Sequence, residues 1–117
     1  MIKIKVAEEF TEIPGARYES QGEFSGERFR ESILYPKFIE SLDKKEKLIV
    51  DLDGGYGYGS SFLEEAFGGL VRKLKKEKNE HYVDVKNIEI ISDDNTAWIE
   101  KIATYIKEEI DSEKGGK

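Results

Sequence analysis

The sequence predicts a two-layer α/β fold, a small mixed β-sheet with helices packed mainly on one of its faces. Three observations predict it. Short apolar runs of strand character alternate with longer segments of helical period, an order that builds right-handed crossover connections. Each strand carries charge on one side: Lys3 and Lys5, then Asp51 and Asp53, then Glu89. A sheet held between two helical layers would read as near-continuous apolar strands, so one face is expected to stay open. Finally, a chain of 117 residues that is 38% hydrophobic supplies one modest core.

Along the chain, Ile2, Lys3, Ile4, Lys5 and Val6 alternate apolar with charged, the mark of a half-buried strand. Residues 8–24 hold no helical period, Pro14-Gly15 signals a turn, and a short second strand is expected around 16–18. Ser25 suits the N-cap of a helix whose apolar side holds Phe29, Ile33, Leu34, Phe38 and Leu42. Pro36 falls inside that helix and is expected to kink or split it, because it lacks an N–H and clashes with the preceding turn.

Leu48-Ile49-Val50-Asp51-Leu52 is the most strand-like run. Gly-Gly-Tyr-Gly-Tyr-Gly follows at 54–59, and a second long helix starts at Ser60 or Ser61 with Phe62, Leu63, Ala66, Phe67, Leu70, Val71 and Leu74 on one broad face. Gly68-Gly69 inside it cost roughly 1 kcal/mol each against alanine and mark a close-packing contact. Ile88-Glu89-Ile90-Ile91 reads as another strand. Asp93 or Asp94 is expected to cap a last helix with a core face of Ile99, Ile102, Ala103, Ile106 and Ile110. One domain is expected over 1–111, with 112–117 a disordered tail.

Composition removes several kinds of function. A net charge of −6 works against general binding to nucleic acid or acidic membranes. Without cysteine there are no disulfides, thiolate nucleophiles or cysteine zinc sites, which fits a reducing, cytoplasmic setting. The alternating N-terminal strand does not resemble a signal peptide, and no apolar run approaches the ~20 residues that cross a bilayer.

The segment from Asp51 to Ser61 carries the chemistry. Ligands of open α/β sheets favour the carboxyl ends of strands, and here a glycine-rich loop feeds a helix N-terminus with its unpaired N–H groups. Named nucleotide motifs fit poorly: the loop has no P-loop lysine, and Gly55, Gly57 and Gly59 give G-x-G-x-G where the dinucleotide fingerprint needs G-x-G-x-x-G. Ser61-Phe62-Leu63-Glu64 matches a capping box, with Ser61 accepting from the Glu64 N–H and Glu64 reaching back. Ser60 lies one residue too early for that duty. Asp51 and Asp53 share a strand face and suit either Mg²⁺ or, more simply, loop hydrogen bonds through Asp53; no third metal ligand is evident. His81, the only histidine, has no metal-binding or catalytic companion in the sequence, and no nucleophile elbow surrounds either serine. Arg72, Lys73, Lys75, Lys76 and Lys78 complement the dipole at a helix end and are expected to be solvated.

PGARY at 14–18, SGERFRESILYPKF at 25–38 and VDLDGGYGYGSSFLEEAFGGLVR at 50–72 resemble the STAS-like domain family of unassigned function, which is related to the STAS domains of anti-sigma factor antagonists. The resemblance implies a small non-enzymatic regulator that binds a protein partner, a histidine-kinase-like ATPase, and is switched by serine phosphorylation. Those antagonists are phosphorylated on the first serine of Asp-Ser-Ser-Gly at a helix start. The matching stretch is Gly59-Ser60-Ser61-Phe62, so the resemblance gives Ser60 the phosphoacceptor role, although glycine stands in place of the aspartate and Phe62 in place of the glycine. Asp53, Gly55, Tyr56, Gly57, Tyr58 and Gly59 form the expected binding loop, with Tyr56 and Tyr58 as exposed anchors. Arg17 and Tyr18 are expected to fold over that loop. No metal and no cofactor is implied. The alternative is a domain that holds a small molecule or phosphate with the glycine loop and helix N-terminus.

Overall fold

A computed structural model describes residues 1–112. Strands β1 (Ile2–Lys5), β2 (Leu48–Asp51) and β3 (Glu89–Ile91) form a sheet of order β1-β2-β3. Both pairings are parallel, with Ile4 opposite Val50 and Val50 opposite Ile90. After β1 comes a single helical turn, α1 (Val6–Glu9). Two long helices follow, α2 (26–44) and α3 (60–76), and α4 (Ala97–Asp111) is the last helix among the described residues. A 3₁₀ stretch, Glu80–Asn87, links α3 to β3.

The layering follows from the alternation in the strands. Ile2, Ile4, Leu48, Val50 and Ile88 join one core with Phe29, Leu34, Phe62, Phe67, Leu70 and Ile102 from the helices. Lys3, Lys5 and Glu89 are exposed on the opposite face, where Lys3 pairs with Asp51 and Lys47 with Glu89. Ile49 shares that face yet is buried, lying at the centre of the sheet between those two ion pairs. The α/β class and its open face are therefore as the sequence implies.

Several details differ. The sheet is parallel throughout, not mixed, because residues 16–18 form no strand. Their backbone is used elsewhere: the Ala16 and Arg17 carbonyls accept the Gly26 and Glu27 N–H groups at the start of α2. Ser25 caps that helix as expected, its Oγ accepting from the Arg28 N–H at 3.0 Å. Pro36 does not divide α2. A π turn at Arg30–Leu34 precedes it, and the wider turn absorbs the missing donor without ending the helix.

At α4 neither Asp93 nor Asp94 is the cap. The Asn95 side chain accepts from the Ala97 N–H, while Asp94 is committed to the glycine loop. Of its expected core face only Ile102 and Ile106 are buried; Ile99 and Ala103 are exposed and Ile110 is half-buried. The expected disordered tail lies outside the described residues except for Ser112, whose carbonyl accepts from Lys75.

Candidate functional site

β2 ends at Asp51, and the chain turns at once. Asp51 Oδ1 accepts from the Asp53 N–H at 2.9 Å, which tightens the turn. Asp53 then reaches across to the β3–α4 connection, its two oxygens accepting from the Asp93 and Asp94 N–H groups at 3.1 and 2.9 Å. Asp94 answers by accepting from the Gly54 N–H at 3.1 Å. Two loops at the carboxyl end of the sheet are thus clasped by reciprocal carboxylate–amide bonds. Among the described residues no three His, Asp or Glu side chains gather as a metal ion needs.

The glycines have distinct duties. Gly54 and Gly57 sit at φ +94° and +118°, where a side chain is strained. Gly55 presses against the Glu12 backbone, and the Tyr56 N–H donates to the Glu12 carbonyl at 2.8 Å. Gly59 has ordinary extended geometry and open space around it.

The two loop tyrosines part company. Tyr56 is 84% exposed. Tyr58, expected beside it as an exposed anchor, is instead buried against Phe62 and Trp98, its hydroxyl donating to the Leu52 carbonyl. Burial, with Asp51 and Asp53 nearby, drives its pKa well above the usual phenol value. It pins the loop to the core.

α3 starts at Ser60, with Gly59 as the N-cap residue and no side chain closing the cap. The capping box expected of Ser61 and Glu64 is therefore not formed. Glu64 is drawn away by two arginines: it accepts from Arg17 and from Arg72, the latter at 2.7 Å. Burial alone would raise its carboxyl, but those hydrogen bonds outweigh burial and hold it below the usual carboxylate range. Glu65, almost wholly buried, accepts from Arg30 at 2.7 Å and also meets Arg17 and Arg72. Gly69 leaves the space that the Arg30 guanidinium fills, so the glycine pair admits an ion network where an apolar contact was expected.

Sequence reasoning missed this network. The signal for it is Glu64-Glu65 breaking into the apolar face of α3 just before Gly68-Gly69. Three of the five residues of the basic run are consumed in the same way, while Lys76 and Lys78 are exposed as expected. Arg72 pairs with Glu64 and Glu109, Lys73 with Glu31, and Lys75 donates to the Glu109, Ile110 and Ser112 carbonyls at the end of α4.

Beside the α3 N-terminus lies an open groove formed by Gly15, Arg17, Tyr18, Gly59, Ser60 and Ser61. Ser60 and Ser61 are both exposed, and neither hydroxyl takes a partner among the described residues. Arg17 and Tyr18 thus share a groove with Gly59, the last residue of the glycine loop, and with the first turn of α3. His81 stands in another groove with Phe38 and Lys45, paired to Asp84 at 2.8 Å, and does not converge on the serines.

No helix among the described residues is long and apolar enough to cross a membrane. Nothing among curated proteins or solved structures matches the chain. A family model described as a STAS-like domain of unknown function matches residues 25–92, which takes in α2, β2, the glycine loop, α3 and β3. With more than half of its length inside that match, the chain belongs to the family of STAS-like domains of unknown function.

Proposed function

We propose that the protein is a non-enzymatic regulatory module that binds a protein partner through the rim around the α3 N-terminus, and that phosphorylation of Ser60 releases the partner. One observation carries this reading: the Ser60 hydroxyl is exposed and unpartnered in the first turn of a long helix, at the carboxyl end of the central strand. A phosphate there would meet the unpaired N–H groups of that turn and the positive end of the helix dipole, at no expense to the fold. Exposed Tyr56 and Tyr18 flank the rim and supply apolar contact area. The partner class follows from the resemblance to anti-sigma factor antagonists: a kinase of the histidine-kinase-like ATPase type. A phosphate-ligand reading has less support, because the Asp53, Gly54 and Tyr56 N–H groups already have internal acceptors and do not converge as a phosphate cradle would.

Phosphate mapping by mass spectrometry on protein recovered from its own cells tests the switch, together with partner capture by wild type, Ser60→Ala and Ser60→Asp. The expected result is phosphate on Ser60, an ATPase retained by wild type and Ser60→Ala but lost with Ser60→Asp, and matching melting temperatures for all three. Equal capture by all three variants, or phosphate only at other positions, overturns it.

A further inference from the structure

The two edges of the sheet are finished differently. In β1 the outward backbone belongs to Lys3 and Lys5. The Lys5 N–H is taken by the Glu9 carboxylate at 2.8 Å, and both lysine side chains stand exposed. Charge and a side-chain cap of this kind keep a free edge from pairing with another chain. β3 has no such guard. Its register against β2, with the Leu52 N–H donating to the Ile91 carbonyl, turns Glu89 and Ile91 toward β2. Ile90 therefore points its N–H and carbonyl outward, and neither takes a partner among the described residues.

Alongside this edge runs an apolar groove of about 410 Å³, lined by Ile88, Ile90, Ile99, Ala103, Ile106 and Ile110. On α4 it joins exposed Ile99 and Ala103 and half-buried Ile110 to the outer sides of the core residues Ile102 and Ile106. The charges that flank β3 in sequence have opposite sign: Lys86, exposed and without an ion pair among the described residues, precedes the strand and lines the groove, and the exposed Asp93–Asp94 turn follows the strand. The other charges on the groove, Lys107 and Asp111, pair with each other.

We propose that β3 is a homodimer edge: two copies pair antiparallel about a two-fold axis at Ile90, joining their sheets into one of six strands. The two-fold places Ile90 opposite itself, so that each Ile90 N–H donates to the other copy's Ile90 carbonyl. It lays Lys86 of one copy beside the Asp93–Asp94 turn of the other, twice. It also brings the two α4 helices together over exposed Ile99 and half-buried Ile110, with the small side chain of Ala103 permitting close approach. A strand edge, an apolar groove and self-complementary charge all point to a second copy of this chain. The β3 side of the groove lies inside the span matched by the family model and the α4 side outside it. The proposal stands independently of the Ser60 reading.

Sedimentation across a concentration series, with hydrogen exchange read at the Ile90 amide, tests it. The wild type is expected to be a dimer whose Ile90 amide exchanges slowly, and faster on dilution. Ala103→Glu, at an exposed helical position, is expected to give a folded monomer with a fast Ile90 amide. Lys86→Glu should raise the dimer dissociation constant about tenfold, and adding Asp93→Lys should restore it. Should Ala103→Glu fail to fold, the exposed Lys86 and Asp93 pair decides the matter. A wild type that stays monomeric, a dimer with a freely exchanging Ile90 amide, or a dimer indifferent to Lys86→Glu overturns the proposal.

Discussion

Gly57 and Gly59 stand two residues apart in the same loop and answer to different physics. At φ +118° Gly57 occupies a region where a Cβ is strained whatever the space around it, so Gly57→Ala is expected to cost roughly 1–2 kcal/mol in urea unfolding. Gly59→Ala is expected to be nearly neutral, since φ is −81° and nothing crowds the site. Ser61→Ala should also stay within about 0.5 kcal/mol of wild type, because no cap bond is lost. The Ser-x-x-Glu spacing of a capping box is legible in the sequence. Its failure is not, because the arginines that take Glu64 come from position 17, far off in sequence, and from two turns further along the helix. The position of Ser60 at a helix start was legible for the opposite reason: a strand, a glycine run and a helical period fix it locally.

At the scale of elements, the faces of helices were easier to read than their partners. Apolar period located α2, α3 and α4, yet it made Ile99, Ala103 and Ile110 core residues. The helix packs against α3 and the 3₁₀ stretch with only part of its apolar face, and no periodicity in a single chain tells where that contact ends. Lys73 and Lys75 read as solvated in the sequence for a similar reason: their acceptors lie on α2 and at the far end of α4, while Lys76 and Lys78 of the same run do stay exposed. Lys75 shows what that run does. Its ammonium donates to the Glu109 and Ile110 carbonyls in the last turn of α4, where Glu109 also accepts from the Ser112 N–H. Lys75→Met keeps the stem and loses the donors, and should cost about 1 kcal/mol. Hydrogen exchange should quicken in the last turn of α4 and stay unchanged in β2; uniform quickening would mean that Lys75 supports the whole fold.

For the whole molecule, the arginine–glutamate network couples stability to acid. The Glu64 pKa lies below its ordinary value of 4.5 in the folded protein, so its contribution is fully present above that pH and fades as pH falls through the lower, folded value. The urea midpoint is expected to decline below about pH 4.5, and Glu64→Gln should start lower and decline less steeply. Two helices with their glycine pair and ion network would then loosen together. The parallel sheet has a different consequence, for the order in which the chain can fold. Ile2 pairs with Leu48 and Val50 with Ile90, so each of these strand pairings closes a loop of roughly forty residues, and among the described residues no hairpin exists to nucleate the sheet. On the ribosome β1 emerges first and must wait, unpaired, until β2 has been made; β2 then waits in turn for β3. The helical layer is left open until α4, made after β3, settles Ile102 and Ile106 into it.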